Sequence, residues 1–287
     1  MGRGLFVSFF HMLQKNHTHH LSSTVWLWLL LSCLSISLVS TVSHAQAAES
    51  LLDTDGDGIP DLWEVQVYRT DPTLFDTDGD GYGDREEIER GFNPLGNGGL
   101  AEADMDRDGL SDRLELLFQT DPTKADSDGD TFLDGIEVTN GFSPTSTERV
   151  LLEKSIAIHL NTQRLETRVM NIPIKSYLVS TGLPRTPTPV GTFKVLSKHP
   201  RAWSSSAKLW MPYWMQFTHR GHGLHELPEW PGGRKEGANH LGRVASHGCV
   251  RLGVGSAKEL YDWTPVGTKI TVIKPPVVKK TAPIAKK

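Results

Sequence analysis

Ser246-His247-Gly248-Cys249-Val250-Arg251-Leu252 gathers a thiol, an imidazole and a small residue into one short stretch. A thiol works as a nucleophile when it has a base or cation to make thiolate, steric access, and donors for the oxyanion. Histidine supplies the first and Gly248 the second, while backbone N–H groups can supply the third. Upstream, Gly223-Leu224-His225 sets another histidine at the end of a predicted strand. The chain has 2 cysteines, and Cys33 lies in a leader-like segment. A mature exported protein would then carry Cys249 alone, and a lone thiol in an oxidising compartment reads as reactive. The plainer alternative is a buried structural thiol. A zinc cluster of His219, His222 and His225 with His240 or Cys249 fits less well, because on a strand 219 and 225 share one face and 222 takes the other.

A second chemistry occupies the acidic half. Four segments share one spacing: Asp53, Asp55, Asp57, Gly58, Asp61, Glu64; Asp76, Asp78, Asp80, Gly81, Asp84, Glu87; Asp104, Asp106, Asp108, Gly109, Asp112, Glu115; and Asp126, Asp128, Asp130, Thr131, Asp134, Glu137. These are positions 1, 3, 5, 6, 9 and 12 of a twelve-residue calcium loop. Carboxylates at 1, 3 and 5 wrap a hard cation. A backbone carbonyl at position 7 (Ile59, Tyr82, Leu110, Phe132) adds an oxygen, and the acid at 12 closes the shell. Glycine at 6 allows the sharp turn, so Thr131 predicts a weaker or distorted fourth loop. Thr70-Asp71-Pro72-Thr73 recurs as Thr120-Asp121-Pro122-Thr123, and Gly91-Phe92-Asn93-Pro94 as Gly141-Phe142-Ser143-Pro144, so the module is two copies of a paired unit. Calcium binding and folding of this module are expected to be coupled.

The elements that must position these groups differ between the halves. Each acidic loop leads into a short helical stretch, such as Leu62–Val65 or Leu114–Leu117. From Val150 onward short strand-like runs appear at 155–160, 165–170, 177–180, 191–196, 214–218 and 269–273, punctuated by Gly and Pro. Ser256–Trp263 reads as a helix, with Ser256 as cap and Glu259 completing a capping box. The sequence therefore predicts a mostly β domain with a short helix, preceded by a small loop-helix module.

The formal net charge of -4 hides an asymmetry. Residues 48–147 hold 26 acidic and 6 basic side chains, whereas 148–274 hold 8 and 18. The dense acidic half would repel itself without cations. At the N-terminus, Arg3 and Lys15 precede an apolar run from Val25 to Val39 that closes on small residues at Ser43-His44-Ala45 or Ala45-Gln46-Ala47. This is the pattern of a cleaved signal peptide, with an uncleaved anchor as the alternative. The Pro- and Lys-rich tail reads as a solvated end with weak attraction to an anionic surface.

Residues 246–249, with His225 upstream, resemble the L,D-transpeptidase family with its YkuD-type catalytic domain. Val179-Ser180-Thr181-Gly182 and Thr188-Pro189-Val190-Gly191-Thr192-Phe193 extend that resemblance. It implies an L,D-transpeptidase-like β-sandwich and a peptidoglycan transpeptidase that acts on tetrapeptide stems through a cysteine thioester. In that reading Cys249 attacks, His225 carries the proton, and the backbone around Glu226 orients His225. Ser246, His247 and Gly248 belong to the nucleophile turn, and Arg251 holds the pocket or the substrate's carboxylate. A stem-hydrolysing L,D-carboxypeptidase and a calcium-dependent wall-binding protein remain the alternatives. The spacer from His225 to Ser246 holds 20 residues, longer than the commonest family form, and Glu226 stands where the family often has a small residue. Residues 53–144 resemble thrombospondin type 3-like bacterial calcium repeats. The division expected is a signal peptide at 1–47, calcium repeats at 48–147, the catalytic domain at 148–274 and the tail at 275–287. The implied partners are structural Ca2+ in the repeats and peptidoglycan stems in the cleft, with no cofactor for catalysis and no nucleic acid. Membrane contact is expected only through the leader or weakly through the tail. The implied location is the periplasm or cell envelope.

Overall fold

A computed structural model describes residues 52–274. The leader-like segment with Cys33 and the tail from residue 275 lie outside the described residues. The chain separates into two compact units: one ends at Glu87 and takes in Pro94–Asn97, and the other holds Ile88–Asn93 and the chain from Gly98. The third and fourth acidic loops thus fall in the unit that contains the strands.

In the first unit, α1 (Asp61–Trp63) runs on as a π turn over Glu64–Tyr68, and α2 (Asp84–Arg90) starts there at the end of the second loop, its last three residues falling in the other unit. The Arg85 N–H donates to Asp57 Oδ2 at 3.3 Å, tying the second loop to the first. In the second unit, α3 (Asp112–Phe118) and α4 (Asp134–Asn140) repeat the arrangement. There the Gly135 N–H donates to Asp108 Oδ2 at 2.6 Å. A Cβ on Gly135 would stand 2.7 Å from the Asp108 carbonyl oxygen, so only glycine allows this approach. Position 7 is buried in the odd loops (Ile59, Leu110) and exposed in the even ones (Tyr82, Phe132), so the paired unit is one two-loop core.

Thr131 leaves the fourth loop's geometry unchanged. Its N–H donates to Asp126 Oδ2 at 2.9 Å, matching the bonds from Gly58, Gly81 and Gly109 to the first aspartate of their loops. The substitution appears instead as backbone strain, with Thr131 held at φ 81°.

The β domain is one curled nine-stranded sheet of order β4-β9-β1-β2-β3-β8-β7-β6-β5. Its strands are β1 (Lys154–His159), β2 (Arg164–Val169), β3 (Ile172–Ser180), β4 (Gly191–Lys194), β5 (Ser197–Ser204), β6 (Leu209–Gln216), β7 (Gly223–Glu226), β8 (Val250–Leu252) and β9 (Lys269–Ile273). Both halves of the sheet send side chains into one core that includes Ile156, Leu165, Val179, Met215, Leu224, Leu252 and Ile270. The helix α5 (Ser256–Trp263) closes that core with Ala257 and Leu260. Ser256 is its first residue and not its cap. Gly255 holds the cap at φ 84°, without a side-chain cap bond, and Glu259 pairs with Lys175. The Trp263 indole N–H donates to the Thr139 carbonyl of α4 at 2.8 Å, so the fourth loop's helix is bonded to the β domain.

The strand β5 and the first half of β6 carry no alternating pattern. Pro200 and Pro212 interrupt them, and Tyr213 sits at φ 54° where the pair with Pro200 is missing from an otherwise continuous register. Pairing holds them as an edge ribbon, which tolerates proline.

Replacing Thr131 by glycine should raise stability by about 1 kcal/mol, since it releases a left-handed strained residue. Calorimetry of Thr131→Gly in calcium checks this, and an unchanged or lower thermal midpoint would show that Thr131 carries no strain.

Candidate active site and cation loops

The strands β7 and β8 run parallel with His225 opposite Arg251, and Cys249 immediately precedes β8. Their ends open on a cleft of about 400 Å³ lined by His225, Ser246, His247, Cys249, Arg251 and Trp214, among others. Cys249 is half-buried, with Sγ 4.0 Å from the Gly221 carbonyl oxygen. Burial pushes its thiol above the usual value, opposed by a backbone hydrogen bond from Gly223 and by the charge of Arg251.

His225 is 2 % exposed. Its Nδ1 lies 2.6 Å from the Glu226 carbonyl oxygen. A carbonyl only accepts, so Nδ1 carries the proton and Nε2 is left as a base. Burial, with some help from Arg251, lowers the imidazole to about 4 against the Glu226 hydrogen bond, so it is neutral at physiological pH. The Trp214 ring backs it at 5.8 Å between centroids. A Cβ on Gly223 would strike that indole at 2.5 Å, so glycine is what lets the strand pass the tryptophan.

The nucleophile turn is shaped by Ser246. Its hydroxyl donates to the Cys249 carbonyl at 2.5 Å and accepts from the Gly248 N–H at 3.1 Å. Gly248 sits at φ 112°, and a Cβ there would meet the His222 ring at 2.7 Å. The Gly248 N–H is thus committed to the turn. His247 is exposed at the cleft. Arg251 donates to Glu236 at 2.7 Å, and its buried Nε has no hydrogen-bond partner.

Residues outside the 246–252 stretch anchor this turn. The Thr181 carbonyl accepts from the N–H groups of Ala245 and Ser246 at 2.9 and 3.0 Å. Thr181 is itself gripped by the Gln163 side chain, whose amide oxygen accepts from the Thr181 N–H at 2.9 Å and whose nitrogen donates to Thr181 Oγ1 at 2.7 Å. Thr181 lies in a segment that the resemblance picks out, whereas Gln163 and Trp214 show no local signal. His219 and His240 do not line the cleft with Cys249 and His225.

In each acidic loop the structure brings together the aspartates at positions 1, 3 and 5. Asp53, Asp55 and Asp57, and the equivalent sets from Asp76, Asp104 and Asp126, each place ligand atoms within 4.8 Å of one another. Buried carboxylate oxygens of Glu64, Glu87, Glu115 and Glu137 at position 12, and of Asp55, Asp106 and Asp128 at position 3, have no hydrogen-bond partner. Desolvation first, then neighbouring carboxylates, push Glu64, Glu87 and Glu137 up to about 7 and Glu115 to about 9. Clustered carboxylates with orphaned oxygens fit a divalent cation that oxygen donors surround. The position 9 aspartates do something else. Asp61, Asp84, Asp112 and Asp134 accept from the N–H of Thr54, Thr77, Met105 and Ser127, the second residue of each loop, and so close its base.

Comparison with known proteins agrees with this geometry. The L,D-transpeptidase catalytic domain matches residues 153–272, and the bacterial TSP3 repeat matches residues 53–74, 76–95 and 104–125. The Bacillus subtilis (strain 168) L,D-transpeptidase-family protein YciB is 30% identical over 124 residues, covering 41% of this chain and 64% of that protein. YkuD of Bacillus licheniformis is 25% identical over 117 residues, with the same coverage. The chain thus spans 64% of the length of these relatives. Among solved structures, an L,D-transpeptidase from Mycobacterium smegmatis aligns with a TM-score of 0.38 at 23% identity, covering 45% of this chain and 64% of that one.

The loops predict an unusual pH dependence. A carboxyl whose folded value is raised stabilises the fold while protonated, and loses that contribution as pH rises through the folded value. With divalent cations chelated, the repeats should therefore lose stability from about pH 4 upward, through the region near 6 for Asp57 and Asp106 and near 7 for Glu64, Glu87 and Glu137. Calcium should reverse the slope by replacing the protons. Thermal melts with chelator and with calcium across this range test it, and a chelated protein that grows more stable as pH rises would contradict it.

Proposed function

We propose that this chain, which carries an L,D-transpeptidase catalytic domain at residues 153–272 behind bacterial TSP3 repeats, is an exported cell-wall acyltransferase that works through a Cys249 thioester on tetrapeptide stems. The observation that supports it most is a neutral, oriented His225 in the same cleft as Cys249, on adjoining parallel strands.

In this reading the Cys249 thiol attacks the carbonyl before the terminal D-alanine as His225 Nε2 takes its proton. The tetrahedral intermediate collapses, the imidazolium returns the proton to the departing amine, and a thioester remains. An acceptor amine then attacks the thioester, giving its proton to His225, and the cysteine leaves with that proton as thiol. Water in place of the amine would make the same site a carboxypeptidase. Arg251 lines this cleft and is assigned as the cation that receives a stem carboxylate. The chemistry asks nothing of a cofactor. Calcium is assigned a structural part: it would neutralise the loops and hold α4, which is bonded to the β domain through Trp263. The basic surplus of residues 148–274 suits an anionic wall polymer.

The mature protein exposed to a carbapenem should gain one covalent adduct by intact mass spectrometry, absent in Cys249→Ser. With tetrapeptide muropeptides and a D-amino acid, an exchange product marks a transferase, whereas tripeptide alone marks a hydrolase. No adduct on folded, calcium-loaded protein would sink the acyl-enzyme reading. Because His225 titrates near 4, the acylation rate should fall only in acid near that value and show no inflection around 6.5, the ordinary value for histidine. An inflection there would mean that the base is solvated in the working enzyme.

A further inference from the structure

Lys235 and Glu236 are consecutive residues of the connection between β7 and β8, and each pairs with a different one of these strands. Lys235 Nζ contacts Glu226 Oε1, one residue beyond His225 on β7. Glu236 Oε2 lies 2.7 Å from Arg251 Nη1 on β8 and 3.2 Å from His240 Nδ1. His225 and Arg251 are opposite one another, so the dipeptide bridges the strands at the level of the base. Glu226 is 2 % exposed although it stands where a small residue is common, and its other oxygen accepts from the Gly255 N–H at 3.3 Å. The connection is also held by its backbone. The Glu236 N–H donates to the Pro228 carbonyl at 2.9 Å, and Glu229 exchanges two hydrogen bonds with Trp210 of β6 at 2.8 and 2.9 Å. Pro228 lines the Cys249 cleft.

We infer that Lys235 and Glu236 form a two-point clasp that seats segment 228–242, whose Pro228 lines the cleft, and fixes the Glu226 carbonyl that orients His225. Glu226, Lys235 and Glu236 are then positioning residues. Removing Lys235 strands the buried Glu226 carboxylate, so the segment must move to rehydrate it. That movement is transmitted to the next peptide unit, whose carbonyl sets the imidazole. Small misplacements of a catalytic group are costly in rate.

The kinetic half of this inference rests on the acyl-transfer reading, and the structural half does not. Lys235→Met should speed amide hydrogen exchange across residues 228–242 about tenfold and lower kcat on tetrapeptide stems about tenfold with KM little changed. Lys235→Arg, which keeps the pair, should restore both. Glu236→Gln is the second variant if Lys235→Met does not fold, and the same faster exchange is expected of it. Exchange at the wild-type rate in the folded variant, or an arginine variant as impaired as the methionine one, would overturn the clasp. If wild-type protein gives no carbapenem adduct, the enzymatic reading falls and exchange alone decides the clasp.

Discussion

Parallel pairing of two very short strands is the constraint on which the rest of the catalytic half depends. β7 and β8 contribute four and three residues, yet between them they carry His225 and abut Cys249. Parallel neighbours cannot be joined by a tight turn and need a connection of about a dozen residues or more. The 23 residues from Leu227 to Cys249 are that connection. Its length follows from the pairing, and the chain uses the excess to return charged side chains to both strands. Neither strand is long enough to hold register alone. Leu224, Val250 and Leu252, all fully buried, supply the packing that does so.

The nucleophile turn needs its own support because it places a left-handed glycine beside a partly desolvated thiol. Ser246 satisfies one donor and one acceptor of that turn, and Thr181 and Gln163 fix Ser246 in turn. Buried polar groups are costly unless partnered, so this chain of bonds also selects a single conformation. His225 and Cys249 are both kept neutral by burial. In the proposed reading such a pair would exchange its proton during attack and not before it.

The acidic half obeys the opposite electrostatic rule. It gathers carboxylates and then buries their oxygens, which no arrangement of hydrogen-bond donors in the loops relieves. Its pairing bonds join the position 5 aspartate of one loop to the first turn of the helix after the next loop. The bond from Trp263 to α4 joins the last pair to the β domain.

The sequence by itself determined what periodic spacing and motif chemistry can encode. Four twelve-residue loops, their pairing, the nucleophile turn, the candidate base and a mostly β second half were all legible, because each rests on residues close together in the chain. Sequence also marked Thr131 and Glu226 as out of pattern, but it predicted a distorted loop for Thr131 and no consequence for Glu226. Tertiary structure decided those consequences: Thr131 keeps the loop geometry under strain, and Glu226 is buried against Lys235. It alone decided that Gly255 and not Ser256 caps α5, that the position 9 aspartates close loops, and that Gln163 and Trp214 serve the site. The physical reason is common to all of these. Burial, ion pairing and close approach depend on what another segment brings within a few ångströms, and no local pattern records that.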